Sequence, residues 1–90
     1  MYSNIGERID ITKTNSYTTP SDGYISLCNL GSSSGGGSAT RVDGNYFIQK
    51  YASNMGTYEV TTLFVRKGSI IQDNETTLSN YKLYFYPFEA

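Results

Sequence analysis

Histidine and tryptophan are absent from these 90 residues, cysteine occurs once and proline twice. Without histidine, imidazole acid–base catalysis and the usual His-containing metal sites drop out. The single thiol, Cys28, closes no disulfide within the chain and says nothing firm about redox compartment. Charge is sparse: seven Lys and Arg face eight Asp and Glu, and the basic residues are spread along the chain, so nucleic acid finds no electrostatic footprint. No apolar run approaches the roughly 18–20 residues of a membrane helix, and no secretory leader is expected. Helix formers are scarce as well, with three Ala and five Leu, and no segment shows a convincing 3.6-residue period. An all-α fold is close to excluded.

What remains is nine Tyr and four Phe set among eleven Ser, ten Thr, seven Asn and nine Gly, a mixture that suits pleated, half-buried surfaces and tight turns. Ninety residues hold one core, hence one domain, expected over 7–90 behind a short polar lead-in at 1–6. Glu7 to Lys13 alternates, with Ile9 and Ile11 on one face, and predicts a strand with one wet side. Tyr17 to Tyr24, containing Pro20, Asp22 and Gly23, predicts a turn between strands. Tyr24 to Leu30 predicts a strand with Tyr24, Cys28 and Leu30 on one side and Ile25 and Leu27 on the other. Residues 31–38, all Gly and Ser, form a flexible loop by composition. Further strands are expected at Ala39–Asp43, Tyr46–Tyr51, Thr57–Arg66, Ser69–Gln72 and Tyr81–Phe88, with a primed hairpin turn at Asp43-Gly44. Seven or eight short strands about ten residues apart predict an all-β, antiparallel sandwich or barrel.

The closing strand departs from that alternation. Leu83, Phe85 and Pro87 face one way and Tyr84, Tyr86 and Phe88 the other, so neither face is polar. Antiparallel sheets commonly keep one face wet. An aromatic ridge in so small a domain marks a contact site, which a symmetric oligomer covers with its own copies. A central strand lying under a long loop is the alternative.

For chemistry the inventory is thin. No carboxylate pair stands out, the Ser and Thr hydroxyls lack a His base, and Cys28 sits in an apolar strand, so enzymatic activity is not expected. Asp43-Gly44-Asn45 and Asp73-Asn74-Glu75 offer oxygen ligands to calcium, but turns carry these residues for conformational reasons, and neither metal nor cofactor is expected. Aromatic rings stack on sugar planes while amides and carboxylates bond hydroxyls. Tyr46, Tyr51 and Tyr58, beside Asn45, Gln49 and Asn54, are therefore candidate glycan contacts, set against a plain core or subunit-contact role for the same tyrosines.

Three segments taken in order, Tyr17-Thr18-Thr19-Pro20-Ser21-Asp22-Gly23-Tyr24-Ile25, Phe64-Val65-Arg66-Lys67-Gly68-Ser69 and Leu83-Tyr84-Phe85-Tyr86-Pro87-Phe88, resemble small bacteriophage fibre domains over about residues 15–88. The resemblance implies a jelly roll of the tumour-necrosis-factor type, homotrimeric, displayed on the virion surface as a tail-fibre tip, head fibre or capsid decoration, and touching host-surface glycans. On that reading Tyr84, Tyr86 and Phe88, with Tyr24, line the subunit contact, and the lead-in with Met1, Tyr2 and Ile5 tethers the domain to other virion proteins. The Gly/Ser loop is longer and blander than a tuned receptor site of that family. The competing expectation is a monomeric carbohydrate-binding, lectin-like module of a bacterial surface protein. A small inhibitor of a host defence enzyme fits the size but has no motif behind it.

Overall fold

The structure, a computed structural model, describes residues 4–30, 37–51 and 58–89. Nine strands occur among them and no helix: β1 (Asn4–Ile5), β2 (Ile9–Asp10), β3 (Tyr17–Thr18), β4 (Gly23–Leu30), β5 (Gly37–Val42), β6 (Asn45–Tyr51), β7 (Tyr58–Val65), β8 (Ile70–Gln72) and β9 (Tyr81–Glu89). Every pairing is antiparallel. One sheet runs β1-β9-β4-β7, with β2 also on β9, and the other runs β3-β8-β5-β6. Counting β1 and β2 as one interrupted strand, the orders become first-eighth-third-sixth and second-seventh-fourth-fifth. That is the order of an eight-stranded jelly roll, a β-sandwich whose successive strands cross between layers.

The expected count of seven or eight strands becomes nine for two reasons. Glu7–Lys13 does not form one full strand: Ile9 and Asp10 pair with Phe85 and Tyr84, one further bond joins Ile11 N–H to Leu83 O (2.9 Å), and Ile9 stays 37% exposed while Ile11 is buried. The chain leaves the sheet at Thr12–Lys13, where Lys13 adopts a φ of 61°. Ahead of it Asn4 and Ile5 pair with Glu89 and Phe88, and the Gly6 N–H donates to the Pro87 carbonyl at 2.7 Å. The nine-residue β9 is long enough to carry both fragments along one edge. Second, Tyr17 and Thr18, expected within a turn, pair with Ile71 and Ile70 as a strand of their own. The Gly/Ser stretch at 31–36 and residues 52–57, between β6 and β7, lie outside the described residues.

The inner faces follow the pleat. Ile25 lies opposite Phe85 and Leu27 opposite Leu83, and these four join Ile11, Val65, Ile71, Leu78 and Tyr81 in one buried cluster. Tyr17 reaches across the layers, its ring centroid 5.9 Å from that of Phe85. The β5–β6 hairpin closes on Asp43 (φ 51°) and Gly44 (φ 83°), both in the left-handed region that a primed turn requires. The Asp43 carboxylate also accepts from the Ile70 N–H at 2.8 Å, which fastens the hairpin tip to β8.

The three segments of the resemblance meet at one end of the sandwich. Thr19 is buried and exchanges backbone bonds with the 66–69 turn: its N–H donates to Ser69 O (2.9 Å) and its carbonyl accepts from Gly68 N–H (2.9 Å). Its hydroxyl donates to Arg66 O (2.8 Å) and accepts from Ser69 N–H (3.0 Å). Asp22 accepts from Lys67 N–H (2.8 Å) through its side chain and from Phe88 N–H (2.8 Å) through its carbonyl. A Cβ at Gly23 would fall on the Tyr86 carbonyl oxygen and lie 2.7 Å from the Phe85 ring. Neither the backbone nor a buried core ring can yield cheaply. Gly23→Ala is therefore expected to destabilise the fold by about 3 kcal/mol, read as a lowered urea midpoint.

Candidate functional site: an aromatic sheet face and a polar cluster opposite

Because side chains alternate along a strand, burial of Ile25, Leu27, Leu83 and Phe85 turns their neighbours outward. The outer face of the β1-β9-β4-β7 sheet is built from those neighbours. Register sets Phe64, Tyr24 and Tyr86 in one row across β7, β4 and β9, and Thr62, Ser26 and Tyr84 in the next. The third row is Val60, Cys28 and Lys82, with Cys28 a half-buried free thiol. Tyr24 stacks on Tyr86 with centroids 4.6 Å apart and planes 13° from parallel. Phe88 lies 6.1 Å from Tyr24 and 5.9 Å from Phe64, and Tyr84 meets Tyr86 edge-on at 6.3 Å. These rings shield one another, so Tyr24, Tyr84, Tyr86 and Phe88 are half-buried, while Phe64 (54%) and Val60 (67%) stand open on the edge strand β7.

Charge is confined to the opposite edge of this face. The Arg8 guanidinium sits 4.1 Å from the Tyr84 ring centroid, a cation–π geometry, and its pKa is raised by a hydrogen bond to Tyr86 and by Tyr84. Asp10 pairs with Lys82 at 3.5 Å. The Thr12 hydroxyl and N–H, more than Lys82, hold the Asp10 carboxyl below its ordinary value. The four residues expected at a subunit contact thus share one surface. Ile5, expected as tether, lies opposite Phe88 at the end of that surface and is exposed, and Met1 and Tyr2 lie outside the described residues. Phe64 and Val60 belong to the same surface and were not singled out by sequence. Their alternation was visible, but only the β4–β7 register shows that they flank Tyr24 and Cys28.

The six candidate glycan residues are distributed differently. Asn45, Tyr46, Gln49 and Tyr51 are on β6 and Tyr58 is on β7, which belongs to the other sheet; Asn54 lies outside the described residues. Around Tyr46 the structure gathers side chains from other segments. Thr40 pairs with Ile48 and Arg41 with Tyr46, so Phe47 is the extra residue of a β-bulge, a device that re-aims the side chains beside it. Arg41 Nη2 is 3.0 Å from Glu75 Oε2 and 3.5 Å from Asn74 Oδ1, and the Tyr46 hydroxyl donates to Glu75 Oε1 at 3.1 Å. The Arg41 Nε is buried with no hydrogen-bond partner among the described residues. The Arg41 side chain is half-buried in this pair while Glu75 is exposed, and the guanidinium carbon lies 6.0 Å from the Tyr46 ring centroid.

Asp73, weighed above as a calcium ligand, is fully buried and engaged by protein donors. Oδ1 accepts from the hydroxyls of Thr40 (2.8 Å) and Thr76 (2.6 Å), and Oδ2 from Lys13 N–H (2.9 Å) and the Tyr81 hydroxyl (2.8 Å). No group of three or more His, Cys, Asp or Glu able to hold a metal occurs among the described residues. No protein-family description, curated protein or solved structure matches the chain.

Two expectations follow from the Asp73 network. Asp73→Ala strands four donors and should cost about 3–5 kcal/mol in urea unfolding. Burial, then the bond to Asp73, pushes the Tyr81 phenol pKa above its ordinary value of 10. A raised folded-state pKa contributes stability that is complete below about pH 10 and is lost as pH rises further. Tyr81→Phe should be less stable than wild type at neutral pH by about 1–2 kcal/mol, with that gap narrowing above pH 10 in parallel denaturation series.

Proposed function

We propose that this chain is a non-enzymatic structural protein of a bacteriophage particle, a homotrimeric jelly-roll head displayed on the virion surface as a fibre tip, head fibre or capsid decoration, and contacting host-surface glycans. The observation that carries the reading is the outer face of the β1-β9-β4-β7 sheet. A wet sheet face normally alternates polar residues, yet here Tyr24, Phe64, Tyr84, Tyr86 and Phe88 form one interlocked aromatic surface with charge only at its far edge. A polar-rimmed apolar surface of this kind marks a protein contact. Further copies of the chain supply the matching apolar surface, and the threefold count comes from the phage-fibre resemblance alone.

The convergence of the three resemblance segments supports the same reading. They are joined through Thr19, Asp22 and Gly23 into one closed end of the sandwich, so their order along the chain reflects one structural unit. Glycan contact rests on the exposed Tyr46 ring and the hydrogen-bonding groups beside it.

Native mass spectrometry and light scattering at micromolar concentration test the assembly. The expected species is a trimer. Phe64→Ser and Tyr86→Ser, which alter only the outer face, should each weaken association by roughly 30-fold or more while the far-ultraviolet circular dichroism stays unchanged. A wild-type chain that remains monomeric under these conditions overturns the trimeric reading, and glycan binding by that monomer would leave the carbohydrate-binding module in its place.

A further inference from the structure

The cluster of Arg41, Tyr46, Asn74 and Glu75 lies on the second sheet and its β8–β9 connection, away from the aromatic face of the first. We propose that it is a binding site for a neutral hexose unit, the terminal or branch sugar of a surface glycan. The inference rests on the glycan-contact part of the proposed function and gives that contact its location and ligand class.

Three features support it. The Tyr46 ring is 46% exposed at a bulge, open to a sugar's apolar face. Around that ring stand a carboxylate, a guanidinium and an amide, drawn from β5 and from the β8–β9 connection. Among the described residues Glu75 Oε1 accepts from the Tyr46 hydroxyl and Oε2 pairs with Arg41, and a carboxylate has about four acceptor positions, which leaves capacity for hydroxyl donors. Asn74 is exposed and brings both donor and acceptor groups.

Charge then selects the ligand. Arg41 and Glu75 neutralise each other at 3.0 Å, so the cluster has no net charge to attract a sialic or uronic acid. A carboxylated sugar would also meet Glu75 directly. Neutral hydroxyls, which both donate and accept, complement all four side chains.

Titration of the isotope-labelled full chain with the methyl glycosides of glucose, galactose, mannose and N-acetylglucosamine, and with a methyl sialoside, tests the site by amide chemical shifts. At least one neutral glycoside is expected to bind with a millimolar Kd and to perturb residues 41, 46, 74 and 75. Tyr46→Ala and Glu75→Gln should each weaken that glycoside at least fivefold, whereas Glu7→Gln, exposed between β1 and β2 on the edge of the other sheet, leaves it unchanged. Tighter binding of the sialoside overturns the neutral-ligand assignment. Shifts confined to the Tyr24, Tyr84 and Tyr86 face overturn the location while leaving glycan contact itself standing. Absence of shifts with every glycoside overturns the inference, and light scattering on the same sample decides the assembly reading separately.

Discussion

A single buried carboxylate holds the two layers in register. Asp73 accepts four hydrogen bonds from the β2–β3 corner (Lys13), from β5 (Thr40), from the β8–β9 connection (Thr76) and from β9 (Tyr81), and its own N–H donates to Thr14 O. These partners come from both sheets. The buried side of β5 carries Ser38 and Thr40, with only the partly buried Val42 reaching the core, so hydrophobic packing around Asp73 is thin. A saturated polar hub substitutes for it, and saturation is essential, because each unpaired group in so dry a place costs more than a typical made bond returns. Thr76 extends the hub by accepting from Ala39 N–H while donating to Asp73, which ties the connection to the edge of β5. The positive φ at Lys13 belongs to the same arrangement, since that turn aims its N–H at the carboxylate.

With the layers locked, the pleat divides the aromatic residues between two tasks. Phe85, Tyr81 and Tyr17 serve the interior, where rings fill volume between the sheets. Tyr24, Tyr84, Tyr86, Phe88 and Phe64 coat the outer face of the same strands. A nine-residue β9 flanked on both sides thus presents core side chains inward and half-buried aromatic rings outward. The interrupted β1/β2 edge places Arg8 and the Asp10–Lys82 pair beside this coat, which bounds it on one side with charge. The polar cluster at Tyr46 occupies the other layer, so the aromatic coat and the polar cluster lie on different sheets.

Much of this was legible in the residue order where the signal is local. Strict alternation gave the inward and outward sets of β4 and β9, and Asp43-Gly44 gave its hairpin, because period-two burial and positive-φ turns depend on near neighbours alone. The shortening of the Glu7–Lys13 strand is not legible there, for the opposite reason. Ile9 and Ile11 alternate correctly, but whether they pair depends on where the free edge of β9 runs, and that edge lies some 75 residues away along the chain. Asp73, Asn74 and Glu75 formed an undivided polar turn by sequence. Folding buried the first under four donors and left the other two on the surface. By sequence Tyr46 is a glycan candidate, Asn74 and Glu75 are possible calcium ligands and Arg41 has no role; they become neighbours only after β5 pairs with both β6 and β8.

Composition and alternation by themselves determined an all-β antiparallel domain, the two-sided aromatic character of the last strand and the turn chemistry of the hairpin. They do so because backbone propensity and side-chain direction are properties of a residue and its nearest neighbours. Tertiary structure alone decided the strand order within the layers, the splitting of the first strand, the burial of Asp73 and the assembly of the Tyr46 cluster. Each of these joins groups far apart in the chain through hydrogen-bond register, and register is chosen by the packing of the whole sandwich at once.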